Sequence, residues 1–229
     1  MYRNVVNAFV PSPQPLAPSP PRMRLGIFGG SFDPVHHGHL AVARACQQQA
    51  ALDEVWFTPA AVQPLKHAGP HATDGQRVEM LQLAIDSEHS EPGRPRPQST
   101  WRVCTMEIDR GGLSYTVDTL RQIHVELPEA KLFFLMGADA LRDVPKWREP
   151  AEICRLATPL VVRRAGQPEP NLTGLAALCT DETQPPLVEM PAVDISSSEI
   201  RRRITDNESI DDLVPAAIAE FIARHAIYR

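Results

Sequence analysis

The sequence predicts an α/β fold: one doubly wound parallel sheet with helices on both faces, in a single domain. Three observations predict it. Short apolar runs of strand length, LGIFGG (25–30), EVWFTP (54–59) and KLFFLMG (131–137), are separated by segments of helical periodicity. Strand alternates with helix along the chain, the pattern of parallel β-α-β units. The first strand also ends in a glycine-rich loop that opens a helix, which is where such sheets receive ligands.

The folded domain is expected over residues 24–229. Residues 1–23 are read as a disordered leader, because six of the eleven residues from Pro11 to Pro21 are proline. LGIFGG is a buried strand closed by glycines, HLAVARACQQQA (39–50) a helix, and EVWFTP the second strand. In DGQRVEMLQLAID (74–86), Val78, Leu81 and Ile85 fall at i, i+3 and i+7 on one helix face. The polar run SEHSEPGRPRPQST (87–100) predicts a mobile surface insert. RVCTMEID (102–109) reads as a strand, and SYTVDTLRQIHVEL (114–127) as a helix with Val117, Leu120 and Ile123 inward. KLFFLMG is the clearest buried strand and leads into helical ADALRDV (138–144). PLVVRR (159–164) and LVEMPAV (187–193) are late strands, and SSSEIRRRI (196–204) and LVPAAIAEFIARHAI (213–227) closing helices.

Composition excludes several classes. A net charge of −5 gives no basic field for non-specific nucleic-acid binding. No apolar run approaches the ~18 residues of a membrane span, and MYRNVVNAFV is too short and too polar for a signal sequence. Cys46, Cys104, Cys154 and Cys179 form no C-x-x-C pair, so they read as reduced thiols in a cytoplasmic protein.

The loop GGSFDPVHHGH (29–39) suits a phosphate: glycines allow close backbone approach, and the next helix offers unpaired N–H groups. It is neither G-x-G-x-x-G nor a loop ending in G-K-[ST], so histidines stand where a lysine would meet the phosphates. His36 and His39, three apart, share one side of a helical turn and suit phosphate oxygens or a metal. The metal reading is the weaker one. H-x-x-H lacks the spacing and glutamate of H-E-x-x-H, and Gly69-Pro70 bars a helix between His67 and His71. No metal ligands are therefore assigned. A lone histidine would be an ordinary surface or core residue, but three of the chain's eight lie within four positions here.

A second signal is VDISSSEIRRRI (193–204). Ser196 and Glu199 form a capping box, which places Ser197 and Ser198 in a first helical turn with Arg201 one turn on. This reads either as an anion site of dipole, hydroxyls and guanidinium or as a plain capped helix with a solvated basic face. Arg202 and Arg203 are read as solvated.

GGSFDPVHHGHL together with ISSSEIR resembles the nucleotidyltransferase superfamily with the (H/T)-x-G-H signature, matched by His36-His37-Gly38-His39. SYTVDTL, FFLMGAD with Trp147 after it, the VVRR strand end and the closing LVP…FI…H…IY are similar, in that order, to bacterial nicotinate-nucleotide adenylyltransferases. The resemblance covers residues 24–229. It implies a Rossmann-like fold, ATP and nicotinate mononucleotide as substrates, Mg²⁺ and pyrophosphate release. No nucleic-acid or membrane partner is implied, and an oligomer is compatible with it.

The chemistry agrees with the residues. A phosphate monoester attacking the α-phosphorus of ATP is already anionic, so the site must chiefly position phosphates and stabilise charge. The resemblance makes His36, His39, Lys66 and Arg201 catalytic. It lines the ATP cleft with Gly29, Gly30, Ser31, Phe32, Gly137, Asp139, Arg163, Ile195, Ser196 and Ser197 beside His36, His39 and Arg201, with Arg164 the alternative to Arg163. For the mononucleotide it implies Asp33 and Lys66, backbone N–H groups of Tyr115 and Thr116 on the pyridine carboxylate, and Trp147 stacked on the ring. Asp33 and Asp139 are candidates to order water or nucleotide, and Mg²⁺ would be carried mainly by phosphate oxygens.

One departure is plain. The family's P-P-H-K-like run reads Gln63-Pro64-Leu65-Lys66-His67 here, so Leu65 replaces the histidine. The alternatives are a phosphopantetheine adenylyltransferase, whose chains are shorter and lack SYT-x-DTL, and a non-catalytic nucleotide-binding regulator.

Overall fold

The computed structural model describes residues 22–65, 69–90, 100–179 and 185–229. The expected leader therefore lies, apart from its last two residues, outside the described residues. Six strands form one all-parallel sheet in the order β3-β2-β1-β4-β5-β6. They are β1 (Arg24–Gly30), β2 (Glu54–Pro59), β3 (Thr100–Val103), β4 (Lys131–Gly137), β5 (Thr158–Arg164) and β6 (Leu187–Met190). Strand order reverses between β1 and β4, which pair directly.

The alternation of side chains along each strand sorts the core into two layers. Phe28, Val55, Phe57, Phe133, Leu135, Leu160 and Val162 face one side. Leu25, Ile27, Trp56, Leu132, Phe134, Met136 and Val161 face the other. Gly26 packs tightly, since a Cβ there would lie 2.7 Å from Leu52 Cδ1 and force that side chain to move. The first layer is covered by α1 (His37–Gln49), α2 (Asp74–Ser90), α7 (Ser197–Thr205) and α8 (Ala216–Arg224). The second is covered by α4 (Thr116–Glu126) and α5 (Pro150–Leu156), with Val117, Leu120 and Ile123 fully buried. Short α3 (Met106–Arg110) and α6 (Thr173–Ala176) complete the elements.

Several expectations are corrected. RVCTMEID is a strand only as far as Val103: the Cys104 N–H makes the last bond to Phe57 O, and Thr105 then starts α3 by accepting from Asp109 N–H. Residues 87–90 are not loop, because α2 runs on to Ser90. Ser87 Oγ bonds Leu83 O, and Arg44 grips Glu88 at 2.7 and 2.8 Å. Residues 91–99 lie outside the described residues. On α2 the buried face is Arg77, Met80, Leu81, Ala84 and Ile85, while Val78 is half-buried. ADALRDV is two 3₁₀ turns, Ala138–Arg142 and Val144–Lys146. β6 stops at Met190, before Pro191, and α8 begins only after Pro215.

Candidate active site

Two cavities open at the carboxyl edge of the sheet, beside the β1–β4 pair where strand order reverses. One, about 730 Å³, is lined by both motif regions, including Ser31, Asp33, His36, Gly38, His39, Arg164, Ile195, Ser196, Ser197 and Arg201. We call it the histidine cavity. The other, about 420 Å³, is lined by Gly29, Gly30, Glu107, Ser114, Tyr115, Thr116, Phe134 and Trp147 among others, and is called the aromatic pocket. Phe28, Ala60, Gln63, Leu65 and Gly137 line both, so the two are halves of one cleft.

His36 is the N-cap residue of α1, with an extended backbone. Its N–H donates to His39 Nδ1 at 3.3 Å, which leaves the proton of a neutral His39 on Nε2. The two imidazoles stack at 3.8 Å between ring centres, and His39 meets the edge of Phe32 at 5.0 Å. Gly38 makes this stack possible: a Cβ there would lie 2.9 Å from His36 Nδ1. That nitrogen is buried without a hydrogen-bond partner. Burial, with Arg164 and His37 nearby, lowers the His36 pKa to about 3, so the ring is neutral at pH 7.

The two motifs, far apart in sequence, are fastened together here. Ser197 Oγ donates to Pro34 O at 2.9 Å, and Arg201 Nη1 donates to Asp33 O at 2.7 Å. Ser196 accepts from Glu199 N–H at 3.2 Å, forming the expected N-cap of α7. Beneath the loop, fully buried Arg77 donates to Ser31 O at 2.8 Å.

Asp33 anchors the loop from inside. Burial alone would raise its pKa, but three bonds to its carboxylate outweigh that: from His71 N–H (2.8 Å), Ala72 N–H (3.0 Å) and Tyr228 Oη–H (2.8 Å). With Arg201 adding its charge, the carboxyl is held below the usual range.

The remaining assigned residues divide. Tyr115, Thr116 and Trp147 meet in the aromatic pocket, where Trp147 packs edge-on against Phe134 at 5.5 Å. Gly29 and Gly30 line this pocket too, and not the histidine cavity. Asp33 lines the histidine cavity, not the mononucleotide side, and its carboxylate is already engaged. Phe32 lines neither, because its ring is buried in the core against Phe28 and Phe57. Asp139 is exposed on a 3₁₀ turn outside both. Arg163 pairs with Glu189 on β6, and it is Arg164, on the opposite face of β5, that lines the cavity. His37 lines neither, its N–H bonded to Leu213 O at 3.0 Å. Lys66 lies outside the described residues.

Sequence reasoning assigned no role to Arg77 or Glu107, weighed His71 only as a metal ligand, and carried Tyr228 only inside the closing LVP…FI…H…IY. Arg77 had a signal of its own: it falls four before Leu81 on the apolar stripe of α2.

A glycine-lined switch point with stacked histidines on one side and a capped arginine helix on the other defines a nucleotidyltransferase. The chain belongs to the cytidylyltransferase-like family, which matches residues 27–203. It is 41% identical over 209 residues to the "probable nicotinate-nucleotide adenylyltransferase" of Thermus thermophilus, covering 90% of this chain and all of that one. It is 39% identical over 206 residues to the protein of the same name from Thermomicrobium roseum, covering 90% and 92%. The solved nicotinic acid mononucleotide adenylyltransferase of Plasmodium falciparum, complexed with NaAD, has the same fold. Its TM-score is 0.70 at 18% identity, over 90% of this chain and 98% of that one. The branch is that of the nicotinate-nucleotide adenylyltransferases, which are enzymes of NAD biosynthesis. Among the described residues, no helix is long and apolar enough to cross a membrane.

Proposed function

We propose that the chain transfers the adenylyl group of ATP to nicotinate mononucleotide, giving nicotinate adenine dinucleotide and pyrophosphate. The observation that carries this reading is the pair of joined cavities, one built from imidazoles and guanidinium groups and the other from aromatic rings. ATP phosphates occupy the histidine cavity and the pyridine ring the aromatic pocket, so the reacting phosphates meet near Gly137. The mononucleotide phosphate oxygen bonds to the α-phosphorus as the bond from that phosphorus to the β-bridging oxygen breaks, and pyrophosphate leaves. His39 Nε2–H and Arg201 donate to the phosphate oxygens, while the first turn of α7 and Arg164 hold the departing pyrophosphate. A phosphate anion in the cavity beside His36 favours its protonated ring, opposing the burial that keeps it neutral. Lys66 adds a cation to the phosphates.

In the aromatic pocket the backbone N–H groups at the start of α4 take the pyridine carboxylate, and Trp147 stacks on the ring. A Mg²⁺ ion, when bound, would supply charge neutralisation of the triphosphate. Among the described residues lining the histidine cavity Asp33 is the one carboxylate, and its oxygens are occupied, so the ion fits as a passenger on the phosphates. The reaction takes place in the cytoplasm, in keeping with four free thiols. A coupled pyrophosphate assay with the purified chain, ATP, Mg²⁺ and either pyridine mononucleotide tests the reading. Release of pyrophosphate supports it, and no release with either one removes it.

A further inference from the structure

The aromatic pocket holds a buried carboxyl for which the reaction above has no use. Glu107, on α3, is 6% exposed and lines the pocket beside Ser114, Tyr115 and Thr116. Its Oε1 accepts a 2.7 Å bond from Thr119 Oγ1, a side chain that is itself buried on α4. The Ser114 hydroxyl lies beside the same carboxyl in the pocket lining. Ser114 and Thr119 flank the Tyr115–Thr116 pair in the chain, so the carboxyl is bonded to the turn's helix side and lies beside its other end.

Each hydroxyl is fixed on its far side as well. Ser114 Oγ accepts from Ala61 N–H at 2.9 Å, and Ser114 N–H donates to Val62 O at 2.8 Å, tying the turn to the segment after β2. Thr119 Oγ1 accepts from Arg110 Nη2 at 3.0 Å. The carboxyl thus closes a bridge from the end of β2, through α3, to the start of α4. A buried network satisfied in this way rigidifies what it spans, and what it spans is the pair of N–H groups assigned to the pyridine substituent.

We propose that Glu107 is a positioning residue that sets the mononucleotide preference: its bond from Thr119, with Ser114 beside it, holds the Tyr115–Thr116 turn in the one arrangement that suits a carboxylate. This rests on the reading of the aromatic pocket given above. Two backbone N–H donors at a helix start suit the two oxygens of nicotinate, whereas the nicotinamide group carries an NH₂ that cannot accept them. A turn free to drift discriminates less.

The test is steady-state kinetics of the full chain with ATP and each mononucleotide in turn, for wild type, Glu107→Ala and Glu107→Gln. Glu107→Ala should raise KM for nicotinate mononucleotide about tenfold, the scale of one lost hydrogen bond to a charged group. The KM for ATP should stay within twofold, and the kcat/KM ratio of nicotinate to nicotinamide substrate should fall. Glu107→Gln keeps an oxygen that accepts a hydroxyl and should restore most of both. If Glu107→Ala does not fold, Thr119→Val, which removes one donor from the carboxyl, should move the same ratio in the same direction. Unchanged KM and preference in a folded variant with a lowered Tm would overturn the proposal and make Glu107 a fold anchor only. Failure of the wild type to use either mononucleotide would instead overturn the functional reading itself.

Discussion

The histidine cavity and the aromatic pocket share Gly137 and the same sheet edge, yet they are assembled in opposite ways. The first draws most of its polar lining from two contiguous stretches, Ser31–His39 and Ile195–Arg201, stitched together by Ser197 and Arg201. The second takes between one and four residues from each of β1, the segment after β2, α3, the start of α4, β4 and the 3₁₀ turns, with Ile153 from α5. Binding a polyanion needs donors converging on a few oxygens, which a loop and a helix start supply locally. Binding a flat ring needs walls, and walls come from wherever the chain passes. On the proposed reading, the difference teaches that the two substrates are held by separable machinery.

That separation can be broken by mutation, and the largest effect is expected in the histidine cavity. His39→Ala should lower kcat by about 10²–10³-fold, the scale for losing one preorganised donor to a developing charge. Turnover near the wild-type value would take His39 out of the chemistry. Gly38→Ala comes next. The added Cβ falls 2.9 Å from His36 Nδ1, so the imidazole stack must shift. We expect a loss of kcat of about tenfold or more, with Tm lowered by an overpacking cost of roughly 1–3 kcal/mol. Full activity would show that the stack tolerates displacement.

On the other side, Trp147→Ala should raise KM for the mononucleotide by up to about tenfold, the range of one aromatic stacking contact. The KM for ATP should barely move, and an effect confined to ATP would contradict the assignment.

The smallest effect is on stability. Folded His36 resists protonation down to about pH 3, whereas an unfolded histidine titrates near 6.5. Between these values the unfolded state binds the extra proton, so stability contributed by a neutral His36 falls as pH drops below about 6.5. The slope for this one group is about 1.4 kcal/mol per pH unit. Tm of the nucleotide-free chain measured from pH 7 to 5 should fall more steeply for wild type than for His36→Asn, and equal slopes would remove His36 as the cause.

The fold was legible in the sequence because strands buried on both faces read as uninterrupted apolar runs, and β2 and β4 were delimited to the residue. The histidine cavity was legible for the same local reason: its residues are contiguous and their types unusual. The rest depended on long-range contact. Nothing in the chain near Phe32 says that its ring turns into the core, and Arg163 and Arg164 are indistinguishable until the pleat of β5 assigns each a face. Glu107 was hidden inside an expected strand. A five-residue helix has too little periodicity to announce itself, and its purpose lies with Ser114 and Thr119 beyond it.

The most direct measurement of the central claim is a competition. The wild-type chain would be given ATP, Mg²⁺ and equal concentrations of nicotinate and nicotinamide mononucleotide, and the dinucleotides separated by chromatography. The proposed assignment of ATP phosphates to one cavity and a pyridine carboxylate to the other predicts nicotinate adenine dinucleotide as the main product, with one pyrophosphate per dinucleotide. Formation of neither dinucleotide, or consumption of ATP without a pyridine product, would contradict the account.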